Sequence, residues 1–204
     1  IADLAWDGAV YQPTCGGNCY ADSFGVVEAN LGVNKANYYV ERNSNASVTF
    51  TGNRINRVLS HTITNTAPVT TGNRGRYETY IRLIMPISAA VGDVLIEGAF
   101  GSRSVSPHIV NINGRKEAGI FVEIAPGETQ TVSYGWSNDT PLSFSERGEY
   151  RLVWRKQAGT LEDPISLRVD LPPESALGTT SLTDTEAALY NTNLTRDFSS
   201  RIFW

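Results

Sequence analysis

The stretch "YETYIRLIM" (77–85) alternates so regularly that it decides the fold class. Tyr77, Thr79, Ile81, Leu83 and Met85 share one face, while Glu78 and Arg82 point the other way. A period of two is that of a β-strand, whose successive side chains leave opposite faces of the pleat. One apolar face and one wet face imply a strand that covers a core on a single side, as in antiparallel sheets. The pattern recurs in "PISLRVDLPP" (164–173), with Ile165, Leu167, Val169 and Leu171 on one face. It recurs again in "EYRLVWRKQ" (149–157), where Tyr150, Leu152 and Trp154 face inward and Arg151 and Arg155 outward.

Turn signals separate these runs: "TGNR" (51–54), "GNRG" (72–75), "VGD" (91–93), "NING" (111–114), "APGE" (125–128) and "ERGE" (146–149). Short strands punctuated this way predict a sandwich or barrel and not βαβ units. Strands are expected near 36–50, 54–66, 77–86, 91–98, 108–112, 117–124, 129–136, 148–157 and 164–171. Prolines 86, 126, 164, 172 and 173 fall at their ends, where a missing N–H does least harm. The expectation is one all-β unit, an antiparallel immunoglobulin- or fibronectin-like β-sandwich over 36–173. An amino-terminal appendage (1–35) and a carboxy-terminal extension (174–204) flank it. The apolar ends "WDGAVY" and "DFSSRIFW" are suited to adding edge strands. Helix is expected only in "SLTDTEAALYN" (181–191), where Ser or Thr can cap and acids fill the first turn. "FGVVEANL" (24–31) leaves helix and strand both open.

The chain has 204 residues and a net charge of −4, with three Lys and fourteen Arg scattered along it. A weakly acidic protein without a basic stripe is a poor partner for a phosphate backbone, so nucleic acid is not an expected partner. No apolar run of about 18 residues exists, so no membrane-crossing helix is expected. The chain opens on Ile1 and closes on "RIFW", which suggests a piece of a longer polypeptide. Cys15 and Cys19, in "TCGGNC", have the wrong spacing for a CxxC redox pair and lack further ligands for a metal. A local disulfide around a Gly-Gly-Asn turn is the expectation, with two free surface thiols as the alternative.

Chemistry is sparse. There is no GxSxG elbow, HExxH, Walker loop or GxGxxG opening a helix. His61 shares a face with Leu59 and Ile63 and is expected to be packed, and nothing marks His108 as a base. Glu162–Asp163 and Asp184–Glu186 lie in polar, loop-like sequence. A hydrolase would need two convergent acids, and a calcium ion at Asp184 and Glu186 would need further oxygens. No cofactor and no metal are expected, and the enzyme case is weak. The densest polar cluster is "NLGVNKANYYV" (30–40), in which Asn30, Asn34 and Lys35 are the candidate ligand-binding residues. Asn and Gly there also supply the left-handed positions of a tight turn, after which Tyr38, Tyr39 and Val40 begin a strand. Lys35 beside Asn34 is, further, a candidate for the Lys–Asn condensation seen in some bacterial surface sandwiches.

The same stretch resembles the extracytoplasmic part of bacterial surface proteins carrying the "domain of unknown function 4012". "HTITNTAP" (61–68), "YIRLIMP" (80–86), "APGETQTVSYGW" (125–136) and "YRLVWRKQAG" (150–159) extend the resemblance over about residues 22–172. It implies an extracellular β-sandwich within a longer anchored or secreted protein, and no activity. The function expected is a non-enzymatic structural or interaction module of an exported protein. Its expected partners are neighbouring surface domains, or other copies joined through sheet edges. The runner-up is a carbohydrate- or cell-wall-binding module that uses exposed aromatics such as Trp6, Tyr11, Trp136 or Trp204. The inward positions of Trp136 and Trp154 favour the core for those two.

Overall fold

The computed structural model describes residues 13–32, 34–172 and 187–204. Two sheets pack face to face. The six-stranded sheet has the order β14 (Phe198–Phe203), β11 (Glu149–Arg155), β1 (Cys19–Asn30), β4 (Tyr77–Pro86), β9 (Arg115–Ile124), β8 (His108–Ile112). The other runs β13 (Ala187–Leu194), β12 (Asp163–Asp170), β2 (Val40–Thr51), β3 (Arg54–Asn65), β10 (Thr129–Asp139), β6 (Val94–Gly98), β7 (Gly101–Val105). The two-residue β5 (Ala90–Val91) also pairs with β10.

The alternating runs lie where their faces predict. In β4, β11 and β12 every second residue is buried, from Tyr77 to Met85, Tyr150 to Trp154 and Ile165 to Val169. Between the sheets Phe24 meets Trp136 edge-on at 5.3 Å and tilts against Trp154 at 4.8 Å, the offset geometries aromatic rings prefer.

Four expectations need correction. The sheets are mixed and not antiparallel throughout, because β1 runs parallel to β11 and β2 parallel to β12. Alternation reports which face is buried and is blind to strand direction. Residues 19–30 are not an appendage, since β1 sits between β11 and β4 in its sheet. Gly25 permits that placement: a Cβ there would stand 2.8 Å from Cβ of Arg155, its partner on β11. Residues 187–191, expected as the end of a helix, belong to β13, and residues 181–186 lie outside the description. Finally, Trp204 is buried and is not an exposed platform; Trp136 is buried too, as its inward position predicts. Trp6 and Tyr11 fall outside the described residues.

The carboxy-terminal residues add an edge strand to each sheet, β13 beside β12 and β14 beside β11. Residues 36–39 form a 3-10 turn, so that strand begins at Val40. Cys15 and Cys19 are joined in a disulfide, with Cα atoms 5.9 Å apart.

Candidate functional site

The inward face of β1 carries Asp22, Phe24, Val26 and Glu28, so two carboxylates enter the sandwich six residues apart. At the rise of an extended strand they are separated by about 20 Å. Each meets an arginine, and the two clusters stand toward opposite ends of the core.

Near the disulfide, Asp22 accepts from Arg57 Nε at 2.8 Å and from the Tyr150 hydroxyl at 2.6 Å. Arg57 also donates to the Ile55 carbonyl and to Asn138 Oδ1, and Asn138 reaches the Tyr20 hydroxyl. The Asp22 and Arg57 side chains are wholly buried. Burial, then the Asp22 charge, holds the Tyr150 phenol far above its ordinary range. A loop closes this end. Asn18 donates to the Ser143 and Arg147 carbonyls, and the Trp204 indole donates to Ser143.

At the other end Glu28 is the hub. Arg42 grips it as a fork, Nε to Oε1 at 2.5 Å and Nη2 to Oε2 at 3.3 Å. The Tyr77 hydroxyl donates to Oε2 at 2.7 Å, and His61 Nε2 stands 3.0 Å from Oε1. Ser44 Oγ lies 2.7 Å from the other ring nitrogen of His61. Burial alone would raise the Glu28 carboxyl, but hydrogen bonding from His61 and the Arg42 cation bring it down to about 2. Burial, then the Glu28 charge, pushes Tyr77 up to about 12.

This second cluster is not closed over. It floors a cavity of about 610 Å³ walled by Asn30, Asn37, Val40 and the 157–161 loop, within the range of small-molecule sites. Tyr38 and Leu161, each 83% exposed, line it as well. "KQAG" (156–159) builds the loop wall. Gln157 accepts from the Glu28 amide at 2.6 Å and donates to its carbonyl at 2.9 Å, so one side chain continues the sheet. The Lys156 ammonium is gripped by the Gln157 carbonyl and by both oxygens of Thr160. Beyond Glu28 a smaller space of about 30 Å³, room for little more than water, is lined by Ser44, His61 and Asp163.

The three sequence candidates take different places. Asn30 lines the cavity while its Oδ1 accepts from the Gly32 amide. Asn34 lies behind the wall, bonded to the Arg76 carbonyl and the Ala36 amide. Lys35 is exposed, so it lacks the burial that a Lys–Asn condensation requires. Asp184 and Glu186 lie outside the described residues, and Glu162 is exposed. Sequence reading missed Glu28, Arg42, Tyr77 and Gln157. His61, expected as packed, is buried, but its carboxylate partner comes from a strand 33 residues earlier.

No protein-family model matches the chain, and no curated protein matches it. Among solved structures it is similar to a candidate nutrient binding protein from Legionella pneumophila. The TM-score is 0.53 at 11% identity, over 89% of this chain and 70% of that one. A candidate protease from Parabacteroides distasonis scores 0.39 at 10% identity, over 79% of this chain and 36% of that one. Leukotriene A4 hydrolase from Saccharomyces cerevisiae scores 0.43 at 8%, over 83% and 30%. The first likeness shows the fold, and at that identity the fold alone. Among the described residues no helix is long and apolar enough to cross a membrane.

Proposed function

We propose that this chain is a non-enzymatic recognition module of an exported bacterial surface protein, and that it takes a neutral, hydroxyl-rich ligand of the carbohydrate class in the Glu28 cavity. One observation carries the reading: a charge-balanced polar floor and an exposed aromatic ring share one cavity. A sugar ring offers an apolar C–H face and an edge of hydroxyls. Tyr38 and Leu161 suit the face, and Asn37 and the outer side of Arg42 suit the edge. Arg42 is already forked to Glu28, so the floor has no net charge with which to select an anion. Both Glu28 oxygens are occupied, and an acid held ionised down to about pH 2 is a poor proton donor at neutral pH. That supports binding over hydrolysis. The disulfide is in keeping with an oxidising compartment, as is the resemblance to exported surface proteins.

The test is calorimetric titration of the chain with soluble cell-wall fragments and a panel of neutral glycans. Saturable binding that weakens roughly tenfold or more in Tyr38→Ala at an unchanged melting temperature supports the proposal. Absence of binding across the panel sinks it, as does binding indifferent to both Tyr38→Ala and Asn37→Ala.

A further inference from the structure

β8 is the outermost strand of the six-stranded sheet, and all five of its residues, His108–Ile112, are exposed. Its inner side pairs with β9, and among the described residues nothing pairs with its outer side. Two of the other edges carry a charge that discourages pairing, Arg103 on β7 and Arg201 on β14, while the uncharged β13 buries both residues at its start and exposes Leu189. β8 has no charge, no proline and no bulge, and presents Ile109, Val110 and Ile112, each between 37% and 43% exposed. Natural sheets rarely leave such an edge open without a use for it.

The turn into β9 fixes which backbone groups face out. Asn113 and Gly114 both have positive φ (50° and 74°), the type I′ pair of a two-residue hairpin. Ile112 and Arg115 flank that turn and form the hydrogen-bonded pair closing it. Alternation then directs the N–H and C=O of His108, Val110 and Ile112 toward β9. Those of Ile109 and Asn111 point to the open side.

We infer that β8 is a homodimerisation edge, pairing antiparallel with β8 of a second copy about a twofold axis through Val110. The register is self-complementary. Ile109 lies opposite Asn111 of the second copy, and by symmetry Asn111 lies opposite its Ile109. The outward groups of both copies therefore meet in two hydrogen-bonded pairs, and none is left over. Val110 meets Val110 across the axis at the close spacing of a non-hydrogen-bonded pair, and Ile112 sits opposite His108. An uncharged strand brings no like charge to the contact, although each copy carries a net charge of −4. A five-residue strand pair is smaller than a standard interface, so the dimer is weak and concentration-dependent. It joins two sheets into one continuous sheet, independently of whatever the cavity binds.

Sedimentation velocity over a wide concentration range tests this. Wild type is expected to pass from monomer toward dimer as concentration rises. Val110→Lys, which sets two ammonium groups face to face, and Asn111→Pro, which removes an outward N–H, should each weaken dimerisation roughly tenfold or more. Neither touches the bonds to β9, so unchanged melting temperatures confirm that both variants fold. Leu189→Lys, on β13 of the other sheet, should leave the dimer intact. A wild type that stays monomeric throughout overturns the inference. So does self-association that survives both β8 variants, or that Leu189→Lys abolishes equally.

Discussion

The two ion clusters inside the sandwich use the same chemistry to different ends. Each joins a carboxylate of β1 to an arginine and a tyrosine: Asp22 with Arg57 and Tyr150, and Glu28 with Arg42 and Tyr77. The first is sealed by the Asn18- and Trp204-bound loop, and its Asp22 and Arg57 side chains are wholly buried. The second opens to a cavity and keeps 10% of the Arg42 side chain accessible. A sealed pair can only hold the fold, since nothing reaches it. A half-open pair can hold the fold and also present a pre-oriented donor to a ligand. What separates a structural ion pair from a site is thus the loop above it, not the residues within it.

The largest expected effect falls on the sealed end. Arg57→Ala strands a buried carboxylate and should cost about 3–5 kcal/mol in urea unfolding. Replacing both partners with apolar groups, Asp22→Leu with Arg57→Met, should recover most of that. The same paired exchange at Glu28 and Arg42 should also fold, yet lose glycan binding altogether. Equal loss of binding at both ends would erase the distinction.

Next comes acid. Glu28 titrates near 2 in the fold and near 4.5 when unfolded, so its contribution is present above the unfolded value and fades as pH falls through the folded one. That contribution is on the order of 3 kcal/mol, and Glu28→Gln should flatten the stability curve between pH 4.5 and 2. A curve of wild-type shape in the variant would assign the acid sensitivity elsewhere.

Smaller again is the disulfide beside the sealed end. Changing Cys15 and Cys19 to Ser should lower stability by at most about 2 kcal/mol, because the closed loop is short. Glycan titrations should not register it. The smallest effect on folding belongs to the mouth of the open end. Tyr38→Ala should stay within about 0.5 kcal/mol of wild type while affinity falls roughly tenfold or more. If Tyr38→Ala instead destabilises the fold, the ring is a lid and not a platform.

The sandwich was legible where the core face carries no charge and is mostly apolar, as in Tyr77–Met85 and Ile165–Leu171. β1 was ambiguous for a related reason. Its core face reads Asp22, Phe24, Val26, Glu28, and two acids among the inward residues erase the contrast on which alternation depends. Arg42 on β2 and Arg57 on β3 hide in the same way, since a charged residue on the core face looks like a wet one. The buried polar residues that defeat pattern reading are therefore the ones that build the candidate site. In "NLGVNKANYYV" neither Asn30 nor Gly32 takes the expected left-handed conformation, and Tyr38 and Tyr39 belong to a 3-10 turn instead of a strand; its Asn30 does reach the cavity, but the floor comes from strands scattered over 28–77. "AALYN" (187–191) favours helix locally, and pairing with β12 overrides it.

The two parallel pairings also set the order in which this chain can fold. β1 lies between β4 and β11, and β2 between β3 and β12, so each early strand lacks one flank until residues 149–170 have been synthesised. Such contacts, more than a hundred residues apart along the chain, carry a high loop-closure cost and slow the search. The nascent chain should therefore stay unfolded, and pliant enough to be threaded through a narrow channel, until most of it has been made.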